Sequence, residues 1–384
     1  MLKQYCLKLP KAVYSGEDAT DKVAQVIAET KATKVCVFTD KALHKLGLAD
    51  EAIRLIKEAG AEVEVIDDIP AEPAYADVQA VVERFKATRA DLIVAVGGGS
   101  VMDTSKLVAV LATDEYDIKD LLADPTKAKK QIHTLMIPTT AGTGAEATPN
   151  AIVAVPEDEL KVGIVSNEMM ADDVILDARM IKNLPRPIAA STGIDALCHA
   201  IECYTSTKAN PLSDTFALEA LDLILKNIIP ACDDPEAMEA KRNMQLASFY
   251  AGIAITAAGT TAVHALSYPL GGRYHIAHGV SNAILLVPVF RFNEPAIRGR
   301  LATAYDRCVA GDATTEEEKS AAMIELLDKI VKHLDIPKNL GELGVENPDL
   351  DGLVEAGMKV TRLLVNNMRE VTPEDARAIY QQII

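Results

Sequence analysis

Seven histidines are spread along the chain: His44, His133, His199, His264, His275, His278 and His333. Three of them fall between residues 264 and 278. A fourth, His199, follows Asp195 by four residues in the segment Ser191-Thr-Gly-Ile-Asp-Ala-Leu-Cys-His-Ala-Ile-Glu202. On a helix that separation stacks the two side chains one turn apart on one face, where both can grip one cation. His264 and His278 can supply the third and fourth contacts. One carboxylate with three imidazoles suits Fe(II) or Zn(II) rather than Ca(II) or Mg(II). Taken alone, His199 reads more simply as the partner of Asp195 in a helix-surface pair, and His275 as a solvated loop residue. The set is different, because mostly apolar, Ala-rich segments surround it and a titrating group buried there needs a partner. Cys198 neighbours His199 and so points to another helix face. It and Cys203 read as core residues.

A second group of residues suits an anion. Val96-Gly-Gly-Gly-Ser100 follows the most apolar strand-like run and precedes a helix. Gly97, Gly98 and Gly99 let the backbone bend sharply and let a bulky anion come close. The helix N-terminus beyond offers unpaired N–H groups and a partial positive charge. Ser100 and Asp103 are placed to cap that helix. Pro138-Thr-Thr-Ala-Gly-Thr-Gly-Ala-Glu-Ala-Thr148 also follows a strand, and hydroxyls at the carboxyl end of a parallel strand are where α/β sheets bind ligands. Each segment has a plainer reading, as a tight strand-to-helix turn and as a Thr-rich turn with local side-chain bonds. Asp40 ends an earlier strand. A carboxylate there accepts from a ribose 2′-hydroxyl and repels a 2′-phosphate, favouring NAD over NADP, although an Asp in that place is more often a turn or cap residue. The usual dinucleotide fingerprint has the glycines about 20 residues before the acid, and here the acid comes first.

The elements that must position these groups change character along the chain. Lys34–Asp40, Ala61–Asp67, Asp91–Val96, His133–Ile137 and Asp173–Asp177 read as strands, with helices predicted at Glu17–Glu29, Asp50–Ala59, Ala76–Ala87 and Met102–Leu111. Strand–helix alternation implies βαβ units and a parallel sheet. Near Leu184-Pro-Arg-Pro187 the strand signals fade, and helix-period segments follow at 189–204, 212–225, 236–258, 261–270, 282–292, 297–304, 316–333 and 350–361. The chain has 384 residues, more than one compact core usually holds, and a formal net charge of −17, from 39 basic and 56 acidic side chains. That balance argues against a nucleic-acid partner. The six cysteines form no CxxC pair, which suits free thiols in a reducing compartment. No apolar run approaches the ~18–20 residues that span a bilayer. The expectation is a cytoplasmic protein with no membrane partner.

Together these segments resemble the iron-containing (group III) alcohol dehydrogenase family. The resemblance is carried by Gly97-Gly-Gly-Ser-Val-Met-Asp-Thr-Ser-Lys106, by Pro138 to Glu146, by Gly193-Ile-Asp-Ala-Leu-Cys-His-Ala-Ile-Glu202, by His264-Ala-Leu-Ser-Tyr-Pro-Leu-Gly-Gly272 and by Ala277-His-Gly-Val-Ser-Asn-Ala-Ile-Leu285. It implies a dehydroquinate synthase-like architecture: an α/β dinucleotide-binding domain over residues 1–185 and an all-α metal-binding domain over 186–384, with the active site in the cleft between. Asp195, His199, His264 and His278 match the family's metal ligands, for Fe(II) with Zn(II) as the alternative. Gly97, Gly98, Gly99, Ser100, Asp103, Thr139, Thr140 and Thr143 match its NAD cradle. Asp40 matches the position that discriminates against NADP, Lys161 a lysine near the nicotinamide ribose, and Thr148 a further cofactor contact. Some members place a proton-relay His where this chain has Tyr268. His275, three residues before His278, stands where some have Asn, and is the better candidate here because imidazole titrates near neutrality. An Asn-Pro pair near the adenine becomes Glu72-Pro73.

The implied activity is metal-dependent, NAD(H)-linked interconversion of a small primary alcohol or diol and its aldehyde, in a homodimer or larger homo-oligomer. A hydroxy acid or glycerol-like polyol is the alternative substrate, with Arg273 able to meet a carboxylate or to face solvent. A cyclising lyase of the same architecture would want a Lys/Arg-rich phosphate pocket, and a non-catalytic nucleotide- or metal-binding protein is the reading from another class.

Overall fold

A computed structural model describes residues 4–158 and 160–384, in two compact units, Lys8–Leu184 and Pro185–Ile384. The first unit holds six parallel strands, β1 (Ala12–Ser15), β2 (Lys34–Phe38), β3 (Glu62–Ile66), β4 (Leu92–Gly97), β5 (His133–Pro138) and β8 (Asp173–Leu176), in the order β1-β8-β5-β4-β2-β3. A separate antiparallel hairpin is made by β6 (Asn150–Val155) and β7 (Leu160–Val165). Its helices are α1 (Lys22–Thr30), α2 (Lys41–Lys45), α3 (Asp50–Glu58), α4 (Tyr75–Thr88), α5 (Gly99–Leu111) and α6 (Ile118–Ala123). Side-chain type follows sheet position. Central β4 is buried at every residue, as its unbroken apolar run requires, whereas β3, at one edge, alternates exposed glutamates with inward apolar residues. Leu92, Val94, Val96, Leu135 and Ile137 join Val23, Ile27, Leu55 and Ile56 from α1 and α3 in one core.

The chain runs outward from β2 to β3 and returns to place β4 on the other side of β2. The direction of winding therefore reverses between β2 and β4, and ligands of open α/β sheets bind outside the carboxyl ends at such a reversal. Asp40 follows β2 and the glycine turn follows β4. Sheet order thus brings together what sequence order has reversed relative to the usual fingerprint.

The second unit is helical: α7 (Arg186–Tyr204), α8 (Pro211–Asp233), α9 (Met238–Ala258), α10 (Ala262–Tyr274), α11 (His278–Cys308), α12 (Glu316–His333), α13 (Leu350–Met358), α14 (Thr361–Leu364) and α15 (Pro373–Tyr380). The described residues before Lys8 group with it rather than with the sheet. Pro185 and Pro187 do not break an element. They open α7, where a missing N–H costs nothing. The two segments predicted at 282–292 and 297–304 are one helix, α11, which continues through Pro288 and Pro295. Each proline removes one ladder bond, but the helix buries residues on both sides of each, including Leu285, Phe290, Ile297 and Leu301. Among the described residues no single helix is long and apolar enough to cross a membrane.

The first turn of α11 presses on α7. A Cβ added at Gly279 would fall 2.2 Å from the Ser191 carbonyl oxygen, so only glycine allows this approach. Gly279→Ala should push the two helices apart and lower stability by about 1–3 kcal/mol, read by denaturant unfolding. Unchanged stability would show that the approach is not constrained there.

Candidate metal centre and dinucleotide cradle

On α7, Asp195, His199 and Glu202 recur at helical spacing and are all buried. α10 contributes His264, and the first turns of α11 contribute His278 and Asn282. The Asp195 Oδ1 atom is the centre of the group. It lies 3.7 Å from His199 Nε2, 3.5 Å from His264 Nε2 and 3.6 Å from His278 Nε2. Four ligands about 2.1 Å from one ion in a tetrahedron sit about 3.4 Å from each other, so these separations are those of a cation site. Asp195, His199 and His264 meet the geometry of a metal-holding group by themselves. The His199 and His264 rings stack at 4.6 Å, and His278 closes against His264 at 5.3 Å. His278 is the open side, with its side chain 30% exposed against 3% for His264.

Glu202 is the residue the sequence reading left unassigned. Its Oε1 accepts from the Thr261 and Val263 backbone N–H groups and from the Thr261 hydroxyl, and its Oε2 pairs with His264 Nδ1. That pairing fixes the ring so that Nε2 faces Asp195, as carboxylates behind ligating imidazoles do. The signal was present in the i, i+4, i+7 spacing of Asp195, His199 and Glu202. Burial pushes the Asp195 carboxyl up, but His199, His278 and His264 outweigh it and hold the group well below the carboxylate range. Burial likewise pulls His264 down, and Glu202 and Asp195 overcome it, raising the imidazole to about 9. Two buried carboxylates thus demand positive charge at this point. Burial pushes the Cys198 and Cys203 thiols well above their ordinary value, which leaves them as protonated core residues.

Tyr268 is buried with its ring 5.9 Å from that of His278. Burial raises its phenol above the ordinary value against the pull of Arg362, which makes it a poor acid. His275 ends α10 in the left-handed conformation and is exposed. Its side chain makes no hydrogen bond or ion pair among the described residues, whereas Tyr268 packs against His278. His44, His133 and His333 pair with Asp67, Asp173 and Asp233. Arg273 is engaged by Asp349 at 2.6 Å.

In the first unit the glycine turn and the Thr-rich loop lie side by side. Gly97 pairs with Pro138, and the Thr139 N–H donates to the Gly97 carbonyl. A Cβ on Gly99 would fall 2.8 Å from Thr143 Cγ2, and one on Gly98 3.5 Å from Thr140 Cγ2. α5 begins here with no side-chain cap, which corrects the expectation for Ser100 and Asp103. The Ser100 hydroxyl instead accepts from the Glu72 N–H, and Glu72 pairs with Lys161 at 2.7 Å. Asp103 accepts from the Ile152 N–H of the hairpin and pairs with Lys106 at 2.9 Å. The Lys106 ammonium is fully buried and also donates to the Ala145, Thr148 and Asn150 carbonyls and to the Thr148 hydroxyl. Thr148 therefore faces this lysine. Asp40 caps α2, its Oδ1 accepting from Ala42 and Leu43 N–H. Lys106 closes the glycine motif, but nothing local in the sequence shows that it would be buried and gather the carbonyls of the loop and the hairpin.

The profile described as iron-containing alcohol dehydrogenase matches residues 10–178, and that described as Fe-containing alcohol dehydrogenase family, C-terminal, matches residues 189–384. The long-chain-alcohol dehydrogenase 1 of Geobacillus thermodenitrificans is 34% identical over 377 residues, covering 97% of this chain and 95% of that protein. The crystal structure of a 1,3-propanediol oxidoreductase superposes with a TM-score of 0.93 at 29% identity over 100% of both chains. That of sulfoacetaldehyde reductase from Bifidobacterium kashiwanohense in complex with NAD+ gives 0.89 at 28% identity, covering 100% of this chain and 99% of that one. The chain belongs to the iron-containing alcohol dehydrogenase family. It is an oxidoreductase that interconverts alcohol and aldehyde.

Two substitutions probe the two halves. Glu202→Gln should weaken divalent-cation binding about 10–100-fold, measured by titration of the stripped protein, and an unchanged affinity would remove Glu202 from that role. Glu146, at the foot of the Thr-rich loop, is driven by burial from the ordinary value near 4.5 up to about 7. The folded protein therefore holds a proton that the unfolded chain releases near 4.5. The stability this contributes is complete below that pH and is lost as pH rises to about 7. Relative to Glu146→Gln, the wild type should lose roughly 3 kcal/mol across that window. A pH-independent difference in urea unfolding would contradict it.

Proposed function

We propose that the chain is an NAD-dependent, Fe(II)-holding dehydrogenase of small primary alcohols or diols, with Zn(II) as the alternative ion. The observation that carries this reading is the convergence of Asp195, His199, His264 and His278 on one point in a chain of this family. A divalent cation held there lowers the pKa of an alcohol toward neutrality and polarises a carbonyl in the reverse direction. The protein's own residues do the rest. Asp195 and the imidazoles present their lone pairs, Glu202 orients His264, and Tyr268 walls the position next to His278. The reacting carbon and the nicotinamide need to be held at roughly 3–3.5 Å with water excluded. His275, exposed close in sequence to His278, is assigned to pass the exchangeable proton to solvent.

For the cofactor, the uncapped N-terminus of α5 leaves its first N–H groups for a pyrophosphate. Gly97, Gly98, Gly99, Ser100, Thr139, Thr140 and Thr143 line that end, with Asp103 and Thr148 holding the surrounding backbone and Lys161, paired with Glu72, assigned to the nicotinamide ribose. Asp40 uses one oxygen as a cap, and a carboxylate has a second with which to meet a ribose hydroxyl. A 1,3-propanediol oxidoreductase and an NAD+ complex among the solved relatives support the diol and NAD parts of the reading. The engagement of Arg273 by Asp349 favours a neutral alcohol over a hydroxy acid. A cytoplasmic location is supported by six unpaired thiols, and the homodimer or larger assembly expected from the resemblance belongs to the same reading.

The test is NADH formation from a panel of primary alcohols, diols and hydroxy acids by protein purified without oxygen, before and after chelation. Turnover should depend on returned Fe(II) or Zn(II) and should favour NAD over NADP. Asp40→Gly should narrow that preference, and an unchanged ratio would withdraw Asp40.

A further inference from the structure

Asn282 stands four residues after His278, one turn further along α11, and is completely buried. Its Nδ2 lies 2.8 Å from Asp195 Oδ1, 3.2 Å from His264 Nε2 and 3.2 Å from His278 Nε2. A carboxamide nitrogen carries two hydrogens, and here it faces the Asp195 carboxylate and two imidazole nitrogens, each of which accepts only when it carries no proton. Its other end is as unusual. Asn282 Oδ1 is buried with no hydrogen-bond partner among the described residues, a state that costs stability. A side chain pinned so firmly at one end and so poorly served at the other is explained by a second arrangement in which the ends exchange duties.

The chemistry of the site supplies that arrangement. A lone pair on Asp195, His264 or His278 can accept an N–H hydrogen or hold a cation, and cannot do both. With no cation, an amide oxygen at the Nδ2 position would lie against the Asp195 carboxylate and be repelled, so the nitrogen must face inward. With a divalent cation held by the same three atoms, the N–H hydrogens are repelled and the oxygen is attracted.

We propose that Asn282 is a two-faced positioning residue of the cation site, whose amide nitrogen holds the ligand side chains together without the ion and which turns over when the ion binds, so that Oδ1 faces it. This rests on the cation site of the proposed function. The side chain then does two things: it keeps the ligands assembled against their mutual repulsion, and it adds an oxygen beside the ion.

Melting temperature and Zn(II) affinity, measured on chelator-stripped and Zn(II)-loaded protein, test this without recourse to activity. Asn282→Ala removes both faces and should lower the melting temperature of the stripped protein and weaken Zn(II) binding about 10–100-fold, as loss of a supporting partner does. Asn282→Asp keeps the shape but has only oxygens. It should melt below wild type when stripped, because two carboxylates then face each other, and should bind Zn(II) more tightly than wild type. That reversal between the two states is not expected of a residue that merely fills space. Equal loss of melting temperature in both states for Asn282→Asp, with no gain in Zn(II) affinity, would overturn the proposal. So would Asn282→Ala with the affinity of wild type. Failure of the wild type itself to bind Zn(II) or Fe(II) would overturn the underlying site rather than the role of Asn282 alone.

Discussion

The helical unit is organised around two carboxylates that have been taken out of water. Asp195 and Glu202 lie on one side of α7 and are essentially unexposed. A buried carboxylate is tolerated only if positive charge or hydrogen-bond donors meet it. Glu202 takes three donors from the start of α10 and one imidazole. Asp195 is met by imidazoles from three helices and by the Asn282 amide. Much of the local architecture follows from that demand. α10 must begin beside Glu202, and α11 must come close enough to α7 for His278 and Asn282 to reach Asp195, which Gly279 permits. A cation answers the demand best, since it satisfies several lone pairs at once.

The other unit solves the opposite problem. The protein is strongly acidic, and the dinucleotide proposed for this unit is an anion, so its attraction would have to be local. The uncapped start of α5 and the two polar loops held together at the ends of β4 and β5 are placed to supply it, and burial keeps Glu146 from adding a full negative charge below about pH 7. Lys106, with no exposed surface, ties the Thr-rich loop and the hairpin to α5. Its place in the motif thus reflects the carbonyls it gathers from 145, 148 and 150.

What could be read in advance depended on how local the signal was. β4 and β5 were legible because a strand buried on both faces is an unbroken apolar run. Asp195 and His199 stood out because Asp and His one helical turn apart are uncommon in so apolar a segment, whereas His264 and His278 lie 14 residues apart on different helices and were singled out by the family resemblance. Glu202 and Asn282 follow the same spacing but are ordinary polar types, and only the meeting of three helices gives them a role. Ser100 and Asp103 are good caps by type, yet partners 28 and 49 residues away claim them. α11 was split in two because proline is a local breaker, and the burial that carries the helix through is not local. β1 is too short to show a pattern, with four residues at the sheet edge.

We propose that alcohol oxidation depends on an ion held by the Asp195–histidine cluster. The most direct measurement returns Fe(II) in steps to stripped protein without oxygen, and follows bound ion and NADH formation from a primary alcohol together. Both should rise in proportion and level off at one ion per chain, matching the single cluster found among the described residues. Full turnover by the stripped protein, or turnover that does not track the bound ion, would contradict it.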